Sequence, residues 1–123
     1  MLVTLIEDHE FARLGVADLG EAALAAGLAW CHQPIADMQP PDRDFAQAWP
    51  GLSERMNQVF ARGENMVLHC AGGLGRTGTV AALLLIDRGL PAAEAMERVR
   101  AARPGAIETA SQEAFLLDYA SRS

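Results

Sequence analysis

Residues 65–89 read NMVLHCAGGLGRTGTVAALLLIDRG, and this stretch decides the fold. Its first part, 65–70, is a short apolar run typical of a buried β-strand. Residues 76–88 form an apolar segment of helical length, with Gly89 as its stop signal. Residues 70–76 are therefore predicted to form the turn between the end of a strand and the start of a helix, which is where parallel α/β sheets bind ligands.

The rest of the chain repeats this alternation of strands and helices. We expect further strands at 1–6 and 28–32, a short helix or turn at 7–14, a proline-rich loop at 33–42, and helices at 16–27, 42–62, 91–103 and 109–121. The helix over 42–62 is expected to be interrupted at Trp49–Pro50. The pattern predicts an α/β domain with a small, mostly parallel central sheet and helices on both faces. A chain of 123 residues is long enough for one such domain, and we expect a single domain over 1–123.

Composition and charge exclude several classes of function. The formal net charge is −6, which argues against nucleic-acid binding. All ten basic residues are arginine, so mechanisms that need a lysine are excluded. The first ten residues lack a basic segment and a cleavage site, and the longest apolar run, 80–86, is too short to cross a membrane. Two cysteines do not make a disulfide framework. We therefore expect a cytoplasmic protein without membrane association.

The turn at 70–76 has the composition of an anion-binding loop. Gly72, Gly73 and Gly75 tolerate backbone conformations that let successive N–H groups point toward one small anion. The start of the following helix adds unpaired N–H groups and a partial positive charge. Arg76 adds a guanidinium that binds two phosphate oxygens at once. Residues 70–76 are called the phosphate loop below.

Cys70 stands at the beginning of the phosphate loop. A cysteine thiol has a pKa of about 8.5, and a helix N-terminus and a cation together lower such a pKa to roughly 3.5–7.5. The groups that attract a phosphate would thus also favour the thiolate. The stretch is suited to the transfer of a phosphoryl group onto sulfur.

Three other interpretations of the same stretch make requirements that can be checked in the sequence. Gly73, Gly75 and Gly78 spell the dinucleotide fingerprint G-x-G-x-x-G, but that fold needs a second strand ending in an acidic residue about 20 positions later, and the chain is helical there. A Walker A loop requires a lysine and is excluded. A structural cysteine at a glycine turn remains an alternative, although it leaves the spacing of Cys70 and Arg76 unexplained.

Three segments resemble the protein tyrosine phosphatase superfamily. HCAGGLGRTG (69–78) resembles its H-C-x₅-R-[S/T] signature, and the GGLGR core is most similar to the kinase-associated phosphatase branch, near the dual-specificity phosphatases. HQPIADMQPPD (32–42) resembles that branch's loop carrying the general acid. RPGAIETASQEAFLLDY (103–119) resembles the family's closing segment. The resemblance covers about residues 1–120 and implies the cysteine-dependent phosphatase fold.

The resemblance also implies a role for each matching residue. Cys70 would be the nucleophile, and Asp37 would protonate the leaving oxygen and later accept a proton from water. Arg76 would bind the phosphate and stabilise the transition state. His69 would tune the thiol, and Thr77 would donate a hydrogen bond to the departing thiolate. Phosphate oxygens would be held by the backbone amides of the phosphate loop: Ala71, Gly72, Gly73, Leu74, Gly75 and Arg76. No metal or other cofactor is required.

The chain departs from the family pattern in the closing segment. Members with I-Q-T there use the glutamine to position the hydrolytic water, whereas this chain has Glu108. Gln112 is the alternative for that role, but its spacing from Thr109 also fits a capping box at the start of the last helix. In the acid loop, Asp42 is the second carboxylate, and its position favours a helix N-cap. The acidic run IEDHE (6–10) is expected to be solvated surface.

The second departure is length. Family domains usually begin with further strands before the one that matches 1–6, so we expect a domain shortened at its N-terminus. The strand at 65–70 would then be an edge of the sheet. Either the sequence is a shortened version of a longer protein, or a homodimer partner or a rearranged segment covers that edge. A disulfide between Cys31 and Cys70 is conceivable, but nothing in the sequence brings the two within reach.

Two functions from different classes remain open on the sequence. The first is a phosphatase for phosphotyrosine, phosphoserine or phosphothreonine proteins, with small phosphoesters as further substrates. The second is a catalytically weak domain that binds phosphorylated ligands, which Glu108 and the short N-terminus favour.

Overall fold

The computed structural model describes residues 1–122. Three strands and six helices alternate much as the sequence predicts. In chain order they are β1 (Leu2–Thr4), α1 (Asp8–Arg13), α2 (Leu19–Ala25), β2 (Trp30–His32), α3 (Arg43–Ala61), β3 (Val67–His69), α4 (Gly75–Asp87), α5 (Ala92–Ala102) and α6 (Ala110–Arg122). The strands are shorter than the apolar runs that indicated them.

The sheet is parallel and has the order β2-β1-β3. Val3 at its centre lies opposite Cys31 on one side and Leu68 on the other. Because all strands point the same way, their carboxyl ends meet at one edge of the sheet. The segments that follow β1, β2 and β3 therefore converge there, and they contain α1, the 33–42 loop and the phosphate loop.

Helices cover both faces of the sheet, as predicted. One face carries the main apolar core, in which Val3, Leu5 and Cys31 pack with side chains of α3, α4, α5 and α6. On the other face, α2 lies close to β2. A Cβ on Gly20 would lie 2.5 Å from the ring of Trp30, so only glycine permits this approach.

Helix α3 corrects one prediction, because it runs without a break through Pro50. Asp42 caps its start by accepting a hydrogen bond from the Phe45 amide at 2.9 Å. Pro50 and Ala46 are exposed, so the carbonyl that loses its helical partner to the proline faces solvent. The buried side chains on the opposite face, including Trp49 and Met56, hold the helix against the core on both sides of the proline.

Strand β3 is an edge strand within residues 1–122, as expected from the sequence. It pairs with β1 alone, and Val67 is 59% exposed. An open cavity of about 480 Å³ lies beside this edge, with Leu2, Leu14 and Val67 among its lining residues, and it extends to Cys70.

Both cysteines are free thiols. Cys31 lies on β2, and Cys70 follows β3, with β1 between them. Two strand spacings amount to roughly 9–10 Å, beyond the Cα separation of about 7 Å that a disulfide tolerates. The fold therefore keeps the two sulfurs apart.

Within residues 1–122, none of the helices combines the length and the apolar character needed to span a bilayer.

Candidate active site

The phosphate loop joins β3 to α4 at the carboxyl edge of the sheet. Leu74 is the N-cap of α4 and gives no side-chain cap, so the first amides of the helix are not occupied by a capping side chain. Gly73 has a φ of 74°, a left-handed conformation that other residues rarely adopt. Ala71 and Gly72 are exposed. The loop has the geometry and the accessibility that the sequence predicts for an anion site.

The Cys70 sulfur accepts two hydrogen bonds inside the loop. The Gly73 amide donates to Sγ at 3.2 Å, and the Thr77 hydroxyl donates to Sγ at 3.0 Å. Both donors belong to the turn that starts α4, so the sulfur faces the positive end of that helix. Cys70 is half-buried, which leaves it within reach of a small phosphoester. Thr77 thus has the contact with sulfur that its predicted role requires.

Arg76 is buried at the start of α4, with 2% of its surface exposed. Its Nη1 donates to Glu10 Oε2 at 2.7 Å, and its Nη2 donates to Glu10 Oε1 at 2.9 Å. Nη1 also donates to the Ile35 carbonyl at 3.0 Å. Burial acts to lower the pKa of Arg76, but the hydrogen bonds and charge of Glu10, together with the nearby Asp37 and Cys70, outweigh it, and the net shift is upward. The guanidinium is therefore a fixed positive charge with a fixed orientation.

Glu10 is a site residue that the sequence analysis missed. Glu10 is fully buried, which corrects the expectation that the whole acidic run is solvated. The hydrogen bond from Arg76 is the main cause that lowers the Glu10 pKa to about 2. Two further donors, the Glu7 amide at 2.7 Å and Arg13 at 3.2 Å, help to hold the ionised carboxylate. The local pattern gave no signal, because the main partner is 66 positions away along the chain.

The two carboxylates of the acid loop have different surroundings. Asp37 Oδ1 lies 3.4 Å from Arg76 Nη2, and its side chain is 61% exposed. It is thus beside the phosphate loop and open to solvent. Asp42 instead accepts the hydrogen bond that caps α3, as its position in the sequence predicted. Asp37 is therefore the carboxylate that lies at the site, and Asp42 is the one that caps a helix.

The closing segment packs against the other side of the phosphate loop. Glu108 Oε1 lies 2.6 Å from the position that a Cβ on Gly75 would take. Buried Gln112 accepts hydrogen bonds from the Glu108 and Thr109 amides at 2.9 and 3.1 Å and donates to the Gln39 carbonyl at 3.2 Å. The backbone amide of Gln112 in turn donates to Thr109 Oγ1, which completes the predicted capping box. Gln112 therefore joins the acid loop to the closing segment.

Two side chains support the phosphate loop from outside. His69 Nδ1 lies 3.2 Å from the Cys70 carbonyl. Arg103 Nη2 donates to the Gly72 carbonyl at a long 3.5 Å. Arg103 also lines a groove of about 270 Å³ between α4 and α5, which begins at Gly73 and has Arg98 on its wall. Each contact holds a backbone carbonyl group of the loop. Because the peptide unit is planar, holding the carbonyl also fixes the direction of the amide N–H that follows it.

The fold brings most of the sequence-predicted residues to one place. A sulfur with two hydrogen-bond donors, a buried arginine and an exposed carboxylate meet around residues 70–77. Together they place a thiol sulfur, a guanidinium and a carboxyl group side by side, the kinds of group that phosphoryl transfer through a covalent intermediate needs. Glu108 adds a second carboxylate beside the loop.

Comparison with known proteins points to the same family. Residues 1–90 match a family model described as "Polymorphic toxin system, DSP-PTPase phosphatase". Cyclin-dependent kinase inhibitor 3 of Rattus norvegicus is 29% identical over 113 residues, which are 89% of this chain and 52% of the relative. Protein tyrosine phosphatase type IVA 3 of Homo sapiens is 31% identical over 93 residues, or 76% of this chain and 53% of the relative. The chain thus spans about half the length of these curated relatives.

Solved structures agree in fold. A kinase associated phosphatase whose catalytic-site cysteine is replaced by serine superposes with a TM-score of 0.89 at 26% identity, over 98% of this chain and 68% of the other. The active form of Tk-PTP gives a TM-score of 0.80 at 32% identity, over 99% of this chain and 78% of the other.

Proposed function

Because this chain belongs to the dual-specificity phosphatase-like family of the protein tyrosine phosphatases, we propose that it hydrolyses phosphomonoesters through a phosphocysteine intermediate on Cys70. The observation that carries this proposal is the environment of the sulfur. Cys70 Sγ accepts hydrogen bonds from the Gly73 amide and the Thr77 hydroxyl at the N-terminus of α4, with buried Arg76 in the same loop. These donors hold the sulfur inside the loop, where a phosphate bound by the loop amides would face it.

In the first step, the Cys70 thiolate attacks phosphorus and forms the sulfur–phosphorus bond. The bond from phosphorus to the leaving oxygen breaks, and that oxygen takes a proton from Asp37. Asp37 is suited to this role, since it is exposed and lies 3.4 Å from Arg76. The amides of the phosphate loop and the Arg76 guanidinium stabilise the negative charge on the phosphoryl oxygens, because they are aligned before the reaction.

In the second step, a water attacks the phosphocysteine and gives its proton to the Asp37 carboxylate. The sulfur–phosphorus bond breaks, inorganic phosphate forms, and the electron pair returns to Cys70. The Thr77 hydroxyl, 3.0 Å from the sulfur, stabilises the departing thiolate. Glu108 is our candidate for positioning the water, because its carboxylate lies against Gly75. The hydrogen bonds of Gln112 to two amides and a carbonyl support a structural role for that residue instead.

The proposed substrates are phosphotyrosine, phosphoserine and phosphothreonine proteins, with small phosphoesters as an extension of the same chemistry. Relatives that carry the name protein tyrosine phosphatase support this choice. We propose a single phosphatase domain over 1–123, acting in the cytoplasm. We also propose that a second copy pairs with the exposed edge of β3. The Val67 amide already donates to the Met1 carbonyl inside the sheet, whereas the Val67 side chain is exposed, so the test variant is Val67→Lys. Its charge at the edge should lower the dimer fraction in analytical ultracentrifugation, and an unchanged dimer would contradict the pairing.

The decisive experiment is turnover of an activated aryl phosphate by the purified chain. We expect release of phosphate, inhibition by vanadate, and loss of activity in Cys70→Ser. Cys31→Ser is the matched control, because Cys31 is the other free thiol and lies away from the phosphate loop; it should retain activity. Phosphate binding without turnover would overturn the proposal and favour the phospholigand-binding alternative, in which the Glu108 carboxylate impedes hydrolysis.

A further inference from the structure

Three hydrogen bonds cross the sheet and end at the backbone of Cys70. Trp30 Nε1 on β2 donates to Thr4 Oγ1 on β1 at 2.9 Å. Thr4 Oγ1 lies 2.7 Å from His69 Nε2 on β3. His69 Nδ1 lies 3.2 Å from the Cys70 carbonyl oxygen. The parallel register places Thr4 opposite His69, so all three strands contribute.

The chemistry of the groups determines which atom donates in each of these three hydrogen bonds. An indole N–H only donates, so the Thr4 oxygen accepts from Trp30. A backbone carbonyl only accepts, so His69 Nδ1 carries the proton in the last bond. The Nε2 atom of a neutral ring is then an acceptor, and the single hydroxyl proton of Thr4 satisfies it. In this arrangement every donor and acceptor in the three hydrogen bonds has a partner.

The surroundings leave Thr4 few alternatives. Thr4 is fully buried, so water does not compete for its hydroxyl. The Trp30 ring is held between neighbours, since it stacks on His32 with centroids 5.6 Å apart and packs against Gly20 of α2. The indole N–H is therefore held in the direction of Thr4.

The last bond acts on the phosphate loop. In a trans peptide the carbonyl and the next amide point in opposite directions, so holding the Cys70 carbonyl also orients the Ala71 amide. A hydrogen bond donated to this carbonyl reduces the negative potential that its oxygen exerts on the nearby sulfur. Both effects act directly on the surroundings of the Cys70 sulfur.

We propose that Thr4 and Trp30 are positioning residues that fix His69 as the neutral Nδ1–H tautomer and thereby hold the first peptide plane of the phosphate loop. The catalytic consequence rests on the proposed function, since it requires Cys70 as nucleophile. The tautomer and the reactivity of Cys70 do not depend on turnover and can be measured without a substrate.

The first test is long-range ¹H–¹⁵N NMR of the histidine rings at a pH where they are neutral. His69, assigned with His69→Gln, should show the proton on Nδ1. His32 is an internal control of opposite sense, because its Nε2 lies 2.7 Å from the Ile6 carbonyl and should carry the proton. A wild-type spectrum with the His69 proton on Nε2 would overturn the proposal.

The second test compares variants. Thr4→Val keeps the shape but removes the hydroxyl, and it should mix the His69 tautomers and slow alkylation of Cys70 by iodoacetamide several-fold. Trp30→Phe should do the same to a smaller extent, and Thr4→Ser should restore the wild-type behaviour. Buried Cys31, followed in the same mass spectra, reports whether each variant is folded.

If folded Thr4→Val kept both the tautomer and the Cys70 alkylation rate of wild type, Thr4 would be a packing residue only. Activity toward an aryl phosphate separates the two proposals. Turnover with the wrong His69 tautomer would remove this inference and leave the proposed function intact. If the expected tautomer were found in a protein without turnover, the proposed function would fail and the assignment of the His69 tautomer would stand.

Discussion

The Glu10 carboxylate holds both terminal nitrogens of Arg76, at 2.7 and 2.9 Å, inside the protein. Each side chain is 1% exposed, so the pair is shielded from solvent. Such a pair fixes the orientation of the guanidinium beside the phosphate loop. Breaking it by removing one partner would leave an uncompensated buried charge.

The first prediction concerns acid stability. The pKa of Glu10 is lowered from 4.5 to about 2 in the folded protein, so its contribution is fully present above the unfolded value and is lost as pH falls from there toward the folded value. That contribution is about 3 kcal/mol. Urea unfolding from neutral pH down to about pH 3 should show roughly the first half of this loss in wild type and a flatter dependence in Glu10→Gln.

Glu64→Gln is the control for this measurement. Its ion pair with Arg62 has a similar distance, 2.7 Å, but the two side chains are 58% and 59% exposed. Solvent screens such a pair, so the variant should follow the wild-type pH dependence. Equal behaviour of the Glu10 and Glu64 variants would contradict the assignment.

The second prediction separates the two carboxylates of the acid loop. Asp37→Asn should slow hydrolysis of phenyl phosphate by roughly 10²–10⁴-fold, because the phenoxide then leaves without a proton. Hydrolysis of an aryl phosphate with an acidic phenol should be spared. The measurement is the rate as a function of the pKa of the leaving phenol.

Asp42→Ala is the matched variant on the same loop. It removes the cap of α3 and should cost about 1 kcal/mol of stability, with the leaving-group dependence unchanged. If the two variants exchanged these behaviours, Asp42 would be the acid. If neither changed the leaving-group dependence, Glu108 would be tested next.

The third prediction concerns Arg103. Its guanidinium reaches the Gly72 carbonyl and adds a positive charge beside the phosphate loop. Arg103→Ala should weaken phosphate binding several-fold at low salt and less at high salt, where charges are screened. Isothermal titration with inorganic phosphate measures this.

Arg98→Ala removes the same charge from the same groove, but Arg98 pairs with Glu94 at 3.1 Å. It should leave phosphate affinity close to wild type. A comparable loss in both variants would assign the effect to net charge alone and remove the role of the Gly72 contact.

The fourth prediction concerns two helical glycines. A Cβ on Gly78 would lie 2.9 Å from both the Ala106 Cβ and the Ile107 amide nitrogen, so Gly78→Ala should push the closing segment away and destabilise the fold. Exposed Gly51 in α3 has nothing within 4 Å of such a Cβ. Gly51→Ala should raise the free energy of unfolding by up to about 1 kcal/mol, because alanine favours helix. Thermal melts of both variants check the opposite signs; a shift in the same direction would contradict the packing argument.

The sequence by itself determined the fold class and the centre of the site. Strand, glycine turn and helix over 65–89 depend on local patterns, and so do the capping roles of Asp42 and Thr109. The phosphate loop is continuous in sequence, so Cys70 and Thr77 needed only the correct turn to meet. Short-range conformational preferences are sufficient for features of this kind.

Tertiary structure alone decided how the site is held. Glu10 meets Arg76 across 66 positions, and Thr4 meets His69 across 65, because the parallel register of the sheet brings the ends of β1 and β3 together. Helix α3 continues through Pro50 because burial of one face outweighs a local signal to break. Such outcomes depend on which distant groups share a desolvated space, and a polar group there must find a partner wherever the fold supplies one. The periodicity of a sequence shows which side chains are buried but does not identify the groups they meet.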